Sequence, residues 1–251
     1  MLTGGVAADP GWAATPRCKG FRATKVGTAR SNVIRGTKHR DVIVSLGGND
    51  KIYGGAGPDV ICAGPGKDLL SGGRGADVLV GNGGNDRLSG GKGIDVLQGG
   101  GGADTLRGDA GLLDVLAGGP GNDTLLGGAG ADLLDGGAGA DKISGGAGSN
   151  DTVTYATRLK DVTVRLARTG FADDGQINER DAVGPDVENA IGGLGNDHLF
   201  GSSAKNRRER HDLRRRRRRP VDRRRRPRHD ERRSTGARGR HERPGHLQQR
   251  Q

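Results

Sequence analysis

From residue 50 onward aspartate returns every nine residues, at Asp50, Asp59, Asp68, Asp77, Asp86, Asp95 and Asp104. After one added residue the series continues at Asp114, Asp123, Asp132 and Asp141, and after another at Asp151. An apolar residue follows each aspartate two positions later: Ile52, Ile61, Leu70, Leu79, Leu88, Leu97, Leu106, Leu116, Leu125, Leu134, Ile143 and Val153. Neither position is missed in the twelve units that span 45–154. A collagen helix needs glycine every third residue, so a period of nine excludes it. A flexible glycine-rich linker has no reason to hold aspartate and leucine in phase.

Each unit joins two halves of different physics. The glycine-rich half, as in Gly72-Gly-Arg-Gly-Ala, is a turn, where glycine reaches positive φ without a Cβ clash. The half that follows, Asp77-Val-Leu-Val, is a short strand with one apolar side chain inward and its neighbours outward. One unit cannot bury its single leucine. Two units make a flattened coil, and stacked coils pair their strands in parallel about 4.8 Å apart. Twelve units predict about six coils, an all-β solenoid.

Composition excludes the usual enzyme core. The chain has 251 residues, 50 of them glycine, with three Phe, two Tyr and one Trp, and 31% hydrophobic residues. One leucine per nine residues is a thin core. One carboxylate per turn, repeated at the strand spacing, adds like-charge repulsion. A cation between those carboxylates resolves both deficits. Aspartate oxygens and loop carbonyls form an all-oxygen set that suits Ca²⁺ better than Zn²⁺, copper or Mg²⁺.

The units resemble the glycine- and aspartate-rich nonapeptide GGxGxDxUx of the RTX (hemolysin-type) calcium-binding proteins. The resemblance runs through 45–154, interrupted by two single-residue slips. It implies a right-handed parallel β-roll, with several Ca²⁺ ions held between successive turns by turn carbonyls and the repeat aspartates Asp50 to Asp151. The slips, at 108–117 and 145–154, displace the aspartate relative to its turn and are expected to weaken those sites.

The flanks organise around this array. Residues 1–26 form an N-terminal segment, and 27–44 read as two degenerate capping repeats with Asn32 or Asp41 in phase but without internal glycines. Residues 155–191 are a strand-and-loop insert. RTX arrays carry a similar insert, of the form seen here in Val162-Thr-Val-Arg-Leu166 and Val187-Glu-Asn189. Residues 192–206 resume the repeat, with Asp197 as a thirteenth candidate ligand and Leu199 in phase. Two cysteines, Cys18 and Cys62, fit one disulfide in an oxidising compartment, with two unpaired thiols as the alternative.

The net charge of +11 belongs to the last segment, 207–251, with 20 Arg against six acids; residues 1–206 hold 21 Lys and Arg against 24 acids. This tail is expected to be disordered. Its Arg-Arg-Arg-Arg-Pro blocks are what Gly-Gly-Asp-Asp codons yield one base out of frame, so a frameshift near Asn206 is one reading and a genuine arginine-rich arm the other. Such an arm sticks to polyanions without specificity, having no aromatic residues to stack on bases. His241-Glu-Arg-Pro-Gly-His246 mimics a zinc-protease motif, but its second histidine is one residue too far and Pro244 breaks the required helix. No nucleophile elbow, phosphate loop or paired acid and base is found.

The expectation is therefore a non-enzymatic, secreted calcium-binding protein that folds on binding the metal outside the cell. The alternative is the carrier module of a larger secreted hydrolase, protease or lipase, or an adhesin. No apolar stretch is long enough for a transmembrane helix, and no signal peptide follows Met1, which leaves a leaderless export route, a misassigned start or a fragment.

Overall fold

The computed structural model describes residues 15–166, 174–176 and 179–201. The expectations for residues 207–251, their disorder and their frameshift origin, lie outside the described residues.

Most units form one six-residue strand, as in Lys51–Ala56, Val60–Pro65 and Leu69–Arg74. Each is longer than the expected four-residue strand. It starts after the aspartate and runs through the first two glycines of the next unit. In Lys51–Ala56, both Ile52 and Gly54 are buried on the inner side. Glycine is required at the second of these places. A Cβ on Gly54 would lie 2.5 Å from Asp59 Oδ2 and 2.6 Å from the Gly72 carbonyl oxygen. The glycine after it carries the bend. Gly55 has φ +112°, and Leu46, Asn82 and Asp109 take φ 78°, 78° and 71° at the corresponding position of other units.

Successive strands alternate between two parallel sheets, so each strand pairs with one two units away. Lys51, Ile52 and Tyr53 stand beside Leu69, Leu70 and Ser71. One sheet has nine strands, from Lys25–Val26 through Val96–Gly101 to Asn189–Ile191. The other has eight, from Val33–Arg35 through Arg87–Lys92 to Ala182–Val183. Between them lies the file of inward Ile, Leu and Val residues from Ile43 to Val153, nearly all without solvent exposure. No helix among the described residues is long and apolar enough to cross a membrane.

The outward residue just after each aspartate differs between the sheets. On the nine-strand sheet these residues are Val42, Val60, Val78, Val96, Val115 and Leu133. On the eight-strand sheet they are Lys51, Leu69, Arg87, Thr105, Thr124 and Lys142. The start of the apolar row is covered. A hairpin of Arg17–Cys18 and Phe21–Arg22 lies there, with Cys18 packed among Val42, Val44 and Val60. A disulfide joins Cys18 to Cys62, with Cα atoms 5.7 Å apart.

The two slips do not disturb the stack. The added residue is absorbed in the turn: Leu112 is pushed out to 80% exposure, and Asn150 takes φ 75°. The strands beyond resume the same register, with Leu97 beside Leu116 and Leu134 beside Val153.

The insert ends both sheets. Ala182–Val183 pairs with Lys142–Gly148, and Asn189–Ile191 pairs with Thr152–Thr154. A separate three-stranded sheet holds Val162–Arg165 between Gly175–Gln176 and His198–Phe200.

Candidate metal centre

Each repeat aspartate stands at the entrance of its strand and bonds across the stack. The amide of Asp59 donates to Asp77 Oδ1, that of Asp77 to Asp95 Oδ1 and that of Asp95 to Asp114 Oδ1, each at 2.8 Å. The intervening residues form a second column, in which Asp50, Asp68 and Asp86 donate to Asp68, Asp86 and Asp104 at 2.7–2.8 Å. The slips leave this ladder whole. Asp104 reaches Asp123 at 2.7 Å, and Asp132 reaches Asp151 at 2.8 Å. The expected displacement of aspartate at the slips is thus corrected: the turn lengthens, and the hydrogen bond to the next coil fixes the carboxylate.

The other carboxylate oxygen is left without a donor. Oδ2 of Asp50, Asp59, Asp68, Asp77, Asp86, Asp95, Asp104, Asp114, Asp123, Asp132, Asp141 and Asp151 is buried and has no hydrogen-bond partner. Each of these residues is at most 2% exposed. An ionised oxygen removed from water without a donor is costly, and the cost repeats at every turn.

The carboxyl pKa values register this. Burial pushes Asp77, Asp86 and Asp123 up to about 7, and Asp114 and Asp141 up to about 6. The hydrogen bond from the preceding coil's aspartate amide offsets part of the rise, and neighbouring carboxylates of the same column add to it.

A main-chain oxygen stands near Oδ2. At the Gly54 turn, Asp59 Oδ2 and the Gly72 carbonyl oxygen converge on the space a side chain would fill. Among the described residues no three His, Cys, Asp or Glu side chains gather into one cluster. A cation here would therefore meet a carboxylate oxygen and a main-chain carbonyl. That is a hard-oxygen set open to high coordination numbers, and it fits Ca²⁺ rather than metals that favour nitrogen or sulfur.

The N-terminal flank differs. Asp41 sits in the first column and donates to Asp59 Oδ1 at 2.8 Å, yet its own carboxylate is satisfied by the protein. Oδ2 accepts from the Thr37 amide and hydroxyl at 2.6 and 2.9 Å, and Oδ1 accepts from Lys25 Nζ at 3.0 Å. Burial pulls this carboxyl upward, but the hydrogen bonds from Lys25 and Thr37 outweigh it and hold the pKa below the ordinary value. Asp197 also stands apart from the two columns. Its Oδ1 accepts from the Val162 amide at 3.0 Å, in the small three-stranded sheet.

Sequence reasoning missed how the columns end. The amide of Asp141 donates to Asp181 Oδ1 at 3.0 Å, and that of Asp151 donates to Glu188 Oε2 at 2.9 Å. Both acceptors come from the insert. The fully buried Tyr155 donates its hydroxyl to Asp181 Oδ2 at 3.0 Å. Burial raises the Asp181 carboxyl to about 7, with the Asp141 and Glu179 carboxylates adding to the rise. A signal was present, since Asp181-Ala-Val183 keeps the aspartate and the apolar residue two positions on.

A comparison with curated proteins returns no match. The model of the RTX calcium-binding nonapeptide repeat matches residues 26–61, 63–97, 80–111, 117–151 and 184–207. Its matches cover most of the coils that carry the aspartate columns and the segment with Glu188, which ends one of them. With the parallel stack, the repeated carboxylates and their donor-free oxygens, this places the chain in the RTX calcium-binding nonapeptide repeat family.

Proposed function

We propose that this is a secreted protein whose roll folds as calcium enters the turns, and that the aspartates from Asp50 to Asp151 are its ligands. The observation that carries the reading is the set of twelve buried Oδ2 atoms without a donor. Bound calcium supplies the positive charge that these oxygens lack. Each aspartate holds its carboxylate in place through Oδ1 and leaves Oδ2 for the metal, while the first glycine of the turn keeps the space clear. Metal binding is then folding free energy, because the unfolded chain has no such geometry. Asp197 is the weakest candidate of the series, since its carboxylate lies outside both columns and is not among the donor-free oxygens. The disulfide and the dependence on calcium both suit an oxidising, calcium-rich exterior. The reading is of a metal-dependent structural module, without catalysis of its own.

The test is a calcium titration of the chelator-treated full chain, with Mg²⁺ as control. Far-UV circular dichroism follows folding, and native mass spectrometry counts ions. A cooperative gain of β-structure with calcium alone, and several ions bound, is the expected result. A chain that binds no calcium, or whose β-structure is the same with and without it, refutes the proposal.

A further inference from the structure

At the internal turns, the space beside the first glycine is bounded by that turn's aspartate and by the next coil's first-glycine carbonyl. Gly127 shows the pattern, with Asp132 Oδ2 at 2.5 Å from a Cβ placed on it and the Gly145 carbonyl oxygen on the other side. The turn from Gly145 to Asp151 is the last of its column and has no glycine turn above it. There a Cβ on Gly145 would lie 2.5 Å from Asp151 Oδ2 and 2.6 Å from the carbonyl oxygen of Asp186. Asp186 of the insert thus stands where a turn glycine stands elsewhere.

Unlike glycine, Asp186 brings a carboxylate. Its Oδ2 accepts from the Ser144 hydroxyl at 2.6 Å and the Gly146 amide at 2.8 Å. Its Oδ1 is buried and has no partner. Asp151, 1% exposed, likewise has a buried Oδ2 with no partner, and its amide is taken by Glu188 Oε2. The end of the other column is served by a side-chain cation. Arg158 hydrogen-bonds the Gly137 carbonyl, pairs with Glu179 at 3.1 Å and approaches Asp135 to 3.9 Å. Among the described residues no ion pair of this kind reaches Asp151, Asp186 or Glu188.

We infer that the insert completes a terminal calcium site of its own, in which Asp186 supplies a carboxylate and a carbonyl opposite Asp151 Oδ2. The inference rests on the calcium-binding reading above and adds a ligand outside the aspartate series Asp50 to Asp151. Two carboxylates with buried, partnerless oxygens, Asp151 Oδ2 and Asp186 Oδ1, should make this one of the tighter sites.

The test is Asp186→Asn in the full chain. Asparagine keeps an oxygen for Ser144 and Gly146 and puts an uncharged amide nitrogen, which cannot ligate calcium, in place of the partnerless oxygen. Native mass spectrometry at saturating calcium should count one ion fewer than in the unsubstituted protein, with the circular dichroism spectrum retained. An unchanged count and unchanged affinity overturn the inference. If the variant does not fold, anomalous scattering from crystals of the unsubstituted calcium-loaded protein decides. A calcium peak between Asp151 and Asp186 supports the site, and peaks at the other turns with none here overturn it. A protein that binds no calcium anywhere fails the underlying reading as well, and is told apart by its ion count of zero.

Discussion

Acidifying the metal-free protein should fold it rather than unfold it. The Asp86 carboxyl, 1% exposed, rises from 3.8 to about 7 in the folded chain, chiefly through burial. That rise corresponds to about 4 kcal/mol favouring the protonated folded form, at about 1.4 kcal/mol for each tenfold change in the proton equilibrium. The folded state binds more protons than the unfolded state between the two pKa values, so stability climbs as pH falls from about 7 towards 4 and is lost as pH rises again. Asp77 and Asp123 act in the same window, and Asp114 and Asp141 from about 6 downward. Neighbours in one column are coupled, so these contributions do not simply add. Asp41, whose pKa is lowered by Lys25 and Thr37 against the pull of burial, opposes them only at the acid end of the range. The assay is far-UV circular dichroism with urea unfolding in chelator, from pH 8 to pH 5. β-Structure and the urea midpoint should both increase on acidification. With calcium present the direction reverses, because protons compete with the metal for the same oxygens. A metal-free chain that loses structure steadily from pH 8 to pH 5 would refute the assignment of these carboxylates as unpaired and buried.

Three further outcomes follow from the packing. Leu97→Ala, at a position with no exposure in mid-stack, should cost about 2–5 kcal/mol, read from urea midpoints at saturating calcium; a cost below about 1 kcal/mol would mean the core file is loosely packed. Gly54→Ala places a methyl group 2.5 Å from Asp59 Oδ2, so it should remove one bound ion in native mass spectrometry and lower the calcium-saturated thermal midpoint; a full ion count would show that the space beside Gly54 is not the metal's. Reducing Cys18–Cys62, which are 44 residues apart, should cost up to about 4 kcal/mol in the loop-entropy account. Its effect should be visible as faster hydrogen exchange in Val42–Val44, and exchange unchanged on reduction would mean the hairpin stays docked without the bond.

The period of nine made the roll legible, because aspartate and leucine in phase leave little choice of strand, turn and inward face. Strand length was less legible. Nothing in Gly54-Gly55 announces that the first glycine continues the strand while the second bends it; only the approach of Asp59 Oδ2 to Gly54 separates them. The slips were misjudged for a related reason. A repeat counted along the chain treats an extra residue as a displacement, whereas the hydrogen bond from Asp95 to Asp114 fixes the carboxylate from the neighbouring coil. The column ends were hidden because Glu188 departs from the aspartate pattern and Asp181 lies in a segment with no glycine turn before it. Their roles depend on contacts made 37 and 40 residues away, which no local period carries.

The alternation of strands between two unlike sheets sets the step by which such a chain can change length. Removing one nonapeptide would move every later unit to the opposite sheet. Arg87 and Lys142 would enter the row now held by Val78 and Val96, and those valines would enter the mixed row that Arg87 and Lys142 now share with Leu69 and two threonines. Asp181 would also meet the column built to end on Glu188. Removing a pair of nonapeptides leaves both rows and both endings matched. Insertions and deletions that this architecture tolerates therefore come in whole coils, and the heritable unit of the array is twice its visible repeat.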